Sequence, residues 1–132
     1  MSPQKNKYKK EYSFELIRIA QGDLASAKLL STATGGRVEN AIYLGQQAIE
    51  KSLKAVLCYI EQPILHTHDL DVIIALLPDT HKPPSAHILG ALTQYATIRR
   101  YEEGYEILTK EDVHNAIVLS EQIVHWAMKI II

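Results

Sequence analysis

The sequence predicts an all-α fold, an antiparallel up-and-down bundle of four long helices with one additional short helix. Apolar residues recur every three or four positions in four long stretches, the period of a helix with one buried face. All five prolines fall outside the interiors of those stretches, and no run alternates apolar and polar residues as a half-buried strand would. The chain has 132 residues, 47% hydrophobic and 22% charged, which suits one globular domain with one core.

Residues 1–11 are lysine-rich (Lys5, Lys7, Lys9, Lys10) with little to bury, and are expected to form a disordered basic tail ahead of a helical domain over 12–132. Ser13 is the expected cap of a first helix that runs to about Thr32, with Phe14, Ile17, Ala20, Leu24, Ala27 and Leu30 inward. Gly35-Gly36 breaks it. The second helix, from Val38 to about Glu61, is the expected centre of the bundle. Ala41, Gly45, Ala48, Ile49, Ser52, Ala55, Val56 and Tyr59 share one side, and the small residues among them allow a neighbouring helix to approach closely. Tyr43, Gln46, Gln47, Glu50, Lys51 and Lys54 share the other. Pro63 is expected to stop this helix.

Thr67 is the expected cap of the short helix, with Asp69 and Asp71 in its first turn and Leu70, Ile73, Ile74 and Leu77 buried. Pro84 can open a third long helix that carries Ile88, Ala91, Leu92 and Tyr95 inward and ends near Arg99-Arg100-Tyr101. Thr109 and Asp112 have capping-box spacing before the last helix, where Val113, Ala116, Ile117, Ser120, Ile123, Val124, Ala127 and Ile131 keep a clean helical period.

Composition narrows the function. A net charge of −1 gives no global attraction to nucleic acid or anionic membranes, so phosphate binding must come from a local cluster. The single cysteine, Cys58, precludes an internal disulfide and fits a reducing, cytoplasmic setting. The apolar C-terminal run WAMKIIII is far too short to span a bilayer, and no membrane association is expected. The six histidines lack the spacing of metal ligands, so neither a metal nor a cofactor is expected. No phosphate-cradling glycine loop and no nucleophile motif is present.

Two polar clusters remain. One is Gln46, Gln47, Glu50, Lys51 and Lys54 on the second helix. A solvated face with an i,i+4 pair such as Gln47–Lys51 accounts for it as well as a binding site does. The other is Tyr95, Arg99, Arg100 and Tyr101. Arginines beside tyrosines can hold a phosphate and stack a base, but cations at a helix C-terminus are also stabilised by its dipole.

In order and spacing, these pieces resemble the HEPN (higher eukaryotes and prokaryotes nucleotide-binding) domain. The matching residues are Asp23-Leu24 with Ala27, then Gln46-Gln47-Ala48 with Glu50-Lys51 and Lys54-Ala55. Thr67-His68-Asp69-Leu70 and Tyr95 with Arg99-Arg100-Tyr101 complete the set, which covers about residues 12 to 131. The resemblance implies a helical bundle, usually dimeric, often paired with a minimal nucleotidyltransferase in two-component, toxin–antitoxin-type systems. Some members are metal-independent ribonucleases. Those carry an Arg followed, four to six residues later, by a His that completes a composite site across the dimer. Here Tyr101 to Ile107 contain no histidine, and the next one is His114. Tyr105, with an ordinary pKa of ~10, does not replace it as a proton carrier.

The expectation is therefore a non-catalytic domain, with no catalytic residue assigned, that binds a nucleotide or other phosphate ligand or partners a minimal nucleotidyltransferase. Gln47, Lys51, Lys54, His68, Arg99, Arg100 and Tyr101 are the candidate binding residues, with Tyr43 as an alternative stacking group. The first alternative is an RNA-cleaving toxin with a displaced general base, for which His68 is the candidate. The second is a structural dimerisation module.

Overall fold

In the computed structural model, residues 5–6, 10–32, 38–89 and 109–132 are described. The elements are β1 (Lys5–Asn6), α1 (Tyr12–Thr32), α2 (Val38–Tyr59), β2 (Ile64–Leu65), α3 (Leu70–Leu76), a 3-10 turn (Asp79–His81) and α4 (Lys110–Ile131). Residues 86–89 add a turn of helix; the rest of the helix expected after Pro84, including Ala91, Leu92, Tyr95, Arg99, Arg100 and Tyr101, lies outside the described residues. The all-α class holds.

α2 is the centre of the bundle, in contact with α1, α3, α4 and β2. Thirteen of its residues are buried, on more of its circumference than one apolar stripe covers. Ile49, Leu53, Ala55, Val56 and Leu57 are fully enclosed and join Leu16, Ile17 and Ala20 of α1 with Ile123, Val124 and Ala127 of α4. A second cluster, Ala27, Ala41, Ile42, Val113, Ala116 and Ile117, closes the other end of the same three helices. The small-residue seam does what its composition predicts at Gly45. There α4 comes so close that a Cβ would meet Ser120 Oγ at 2.8 Å, and that hydroxyl donates to the Gly45 carbonyl at 3.0 Å.

Several local expectations change. Ser13 is buried inside the start of α1 and its hydroxyl donates to the Lys10 carbonyl, so it does not cap the helix. Phe14 is 49% exposed and Leu16 takes the inward position. Near Pro84, Leu89 is enclosed whereas Ile88 is 44% exposed. The end of α2 is set before Pro63. Gln62 N–H donates to the Leu57 carbonyl and Glu61 N–H to that of Cys58, while Glu61 takes φ 59°, a Schellman termination with glutamate in the left-handed position. Sequence inspection misses it because glycine is the usual marker there. α3 is capped by Asp69, whose side chain accepts from Asp71 N–H; Thr67 acts one step earlier, its Oγ1 accepting from Asp69 N–H at 3.1 Å. The Thr109–Asp112 capping box at α4 forms as expected.

Lys5–Asn6 pairs antiparallel with Ile64–Leu65, inside the segment expected as a disordered tail, and Lys10 Nζ sits 4.3 Å from the centre of the Tyr59 ring. A two-residue ladder is too short to leave an alternating pattern in sequence, which is why no strand was expected. Among the described residues, no helix is long and apolar enough to cross a membrane.

Candidate functional site

Positions 43, 47, 50, 51 and 54 of α2 lie three or four residues apart and so share one helical face. Their environments differ. Lys51 Nζ donates to Gln47 Oε1 at 3.0 Å, the i,i+4 pair anticipated from sequence, and both residues are half-buried. Glu50 between them is 1% exposed and Gln46 is 4% exposed, so neither belongs to a solvated face. Their neighbours explain it: Gln46, Ile49, Glu50, Leu53 and Leu57 form one buried stripe, and that spacing was the available signal.

Glu50 is the hub of the cluster. Lys54 Nζ donates to its Oε2 at 3.0 Å. His68 Nδ1 stands 2.9 Å from Oε1 and 3.1 Å from Oε2. The Lys54 side chain is 15% exposed, that of His68 80%. A buried carboxylate therefore holds one basic group from its own helix and one from the segment between β2 and α3. That segment is built to hold its position. Thr67 N–H donates to the Leu65 carbonyl, Thr67 Oγ1 accepts from Asp69 N–H, and Asp69 caps α3, so His68 sits between two anchored residues.

Asp23 enters from α1. Burial pushes its carboxyl up from the usual range, and the nearby Lys51 ammonium partly opposes that. Asp23 and Glu50 thus face Lys51 and Lys54, and the described part of the cluster is electrically balanced. Lys51 differs from Lys54 in that its hydrogen-bond partner is a neutral amide rather than a carboxylate. Tyr43, 37% exposed, stands one turn before Gln47.

Of the candidate binding residues, Gln47, Lys51, Lys54 and His68 are brought together; Arg99, Arg100 and Tyr101 lie outside the described residues. In the sequence Glu50 stands within the polar cluster with nothing to mark it as a site residue. Cys58 is buried and burial raises its thiol, which makes it a poor nucleophile. Among the described residues, no group of three or more His, Cys, Asp or Glu side chains is placed to hold a metal ion.

The family profile described as "HEPN domain" matches residues 14–131. Among curated proteins no significant match is found. Two solved structures share the architecture. The protein TT1696 from Thermus thermophilus superposes with a TM-score of 0.75 at 20% identity, covering 89% of this chain and 96% of its own. ST0689, described as an archaeal HEPN homologue, superposes with a TM-score of 0.70 at 26% identity, covering 91% of this chain and 98% of its own.

Proposed function

The chain belongs to the HEPN domain family, and from that premise we propose that it is a non-catalytic member that binds a nucleotide or another phosphate ligand at the polar face of α2. The observation that carries this reading is the asymmetry between the two lysines. Lys54 is hydrogen-bonded to the Glu50 carboxylate, whereas half-buried Lys51 is hydrogen-bonded to the neutral Gln47 amide and feels the Asp23 carboxyl only through its field, so Lys51 is the lysine that an incoming anion meets with less competition. In this reading Lys51 and Arg99 or Arg100 neutralise phosphate, and Tyr101 or Tyr43 stacks on the base. Lys54, Gln47 and His68 fix the remaining polar groups. The domain acts in the cytoplasm as a homodimer and as the accessory half of a toxin–antitoxin-type pair with a minimal nucleotidyltransferase. Exposed Phe14, Leu29, Val118 and Ile132 supply apolar surface for such contacts.

Thermal unfolding against a nucleotide panel tests the binding. A ligand at ~100 times its Kd raises stability by about 2.7 kcal/mol, and the shift is lost in Lys51→Ala, which leaves the ligand-free melt nearly unchanged. No shift with any nucleotide sinks the reading for the isolated domain and favours the structural dimerisation module. Sedimentation equilibrium at micromolar concentration tests the dimer, which a single 14.9 kDa species excludes.

One observation favours a second reading, a metal-independent ribonuclease. His68 is hydrogen-bonded to a buried carboxylate through Nδ1 with most of its ring exposed, the arrangement in which a histidine serves as general base. Cleavage of single-stranded RNA in chelator, abolished by His68→Ala, would establish it over the binding reading.

A further inference from the structure

We infer that Glu50 is the positioning residue of this site, and that by holding His68 through Nδ1 it presents Nε2 as an acceptor for a sugar hydroxyl of the bound nucleotide. This deepens the nucleotide reading and rests on it. A carboxylate has no proton to give, so its hydrogen bond with Nδ1 places the hydrogen on Nδ1. In the neutral ring the lone pair is then on Nε2. The distances of 2.9 and 3.1 Å to the two carboxylate oxygens hold the ring to one orientation.

Stability does not call for this arrangement. Position 50 lies on the stripe with Ile49, Leu53 and Leu57, where an apolar side chain would complete the core. Burying a carboxylate instead carries the cost of taking an ion out of water. The Lys54 ammonium offsets part of that cost, while the histidine that the carboxylate also holds is 80% exposed at its side chain, a contact that adds little to stability. What the arrangement produces is an imidazole of fixed tautomer and fixed direction. An acceptor at Nε2 selects a ligand with a hydrogen-bond donor, while Lys51 on the same face of the adjoining helix selects an anion. A nucleotide carries both, as sugar hydroxyls and phosphate.

Two measurements on the full chain test this separately. The first is long-range nitrogen–proton NMR of the ligand-free protein at a pH where the His68 ring is neutral, its signal identified by loss in His68→Ala. The Nδ1–H tautomer is expected, with mixing or reversal in Glu50→Gln; an Nε2–H tautomer in the wild type overturns the positioning role. The second compares AMP with its 2′,3′-dideoxy analogue, which keeps base and phosphate but lacks both sugar hydroxyls. The analogue is expected to bind about five- to ten-fold more weakly, the loss of one hydrogen bond, and the difference is expected to vanish in His68→Ala. That variant should fold because the side chain is exposed, so the test survives if Glu50→Gln does not fold. Equal binding of the two ligands overturns the hydroxyl contact while leaving the nucleotide reading intact. If neither binds, the nucleotide reading and the hydroxyl contact both fail, and the tautomer measurement alone decides the role of Glu50.

Discussion

Gly45→Ala isolates the close approach of α2 and α4. In an ordinary helix interior the change stabilises by about 1 kcal/mol, because glycine loses more backbone freedom on folding. Here the new methyl meets Ser120 Oγ at 2.8 Å, closer than Cβ atoms come. Ser120 cannot yield freely, since its one hydroxyl proton is shared between the Gly45 carbonyl at 3.0 Å and the Ala116 carbonyl at 2.7 Å. Either that bonding is given up, leaving a buried hydroxyl unsatisfied at about 1–3 kcal/mol, or the helices part, at about 1–3 kcal/mol; the middle of either range, about 2 kcal/mol, exceeds the gain of about 1 kcal/mol from replacing glycine. The net expectation is destabilisation by about 1 kcal/mol in the wild-type background. Ser120→Ala alone should cost a similar amount, about 0.5–1.5 kcal/mol, for the lost hydroxyl. With that oxygen gone, the contacts left for the methyl are ordinary, with Ala116 O at 3.7 Å and Ser120 Cβ at 3.9 Å. Gly45→Ala should then stabilise by about 1 kcal/mol, a reversal of sign. The double-mutant cycle, read by urea unfolding at fixed protein concentration, should give a coupling of about 2 kcal/mol. Gly45→Ala stabilising the wild type, or a coupling below about 0.5 kcal/mol, would refute the packing argument.

Glu61→Gly should stabilise by about 0.5–1 kcal/mol in thermal unfolding, because it relieves a left-handed residue at the end of α2 without touching the Schellman hydrogen bonds. Thr109→Ala should cost about 1 kcal/mol by removing the capping box of α4, measured by the same unfolding assay. Lys54→Met should destabilise more than Lys51→Met, since only the former strips the buried Glu50 of an ammonium partner; equal effects in denaturant titration would show that Glu50 does not depend on it. Asp23→Asn should raise the melting temperature near neutral pH. Burial raises the carboxyl's folded pKa above its unfolded value, so the folded state holds its proton more tightly and stability falls as pH rises through that interval. The advantage of the amide should therefore shrink on acidification and disappear below the unfolded pKa.

The bundle was legible because its signals are repetitive. The period of α4 and the Thr109–Asp112 spacing recur in the structure as read. The features that escaped depend on one residue in an unusual setting. Glu61 gives no glycine cue for a left-handed cap, and Ser13 has the chemistry of a cap but is buried one residue inside the helix. The β1–β2 ladder joins two residues to two others almost sixty positions away, beyond any local pattern.

Glu50 is the most instructive of these. A charged residue between Ile49 and Lys51 reads equally well as the edge of a solvated face, and its spacing to Lys54 suggests an exposed ion pair. What removes it from solvent is the enclosure of α2 by α1, α3 and α4, a property of the assembled bundle rather than of the helix. Once enclosed, the carboxylate requires partners, and the short stretch before α3 brings the second of them, His68, to within 2.9 Å. The pieces of the candidate site, Gln47, Lys51, Lys54 and His68, were each visible in the sequence. Their relation to one another was not, because it runs through a buried group whose neighbours only the fold supplies. That same dependence gives the site its direction: while its hydrogen bond to Glu50 holds, the His68 ring is referred to α2, the element that α1, α3 and α4 all pack against.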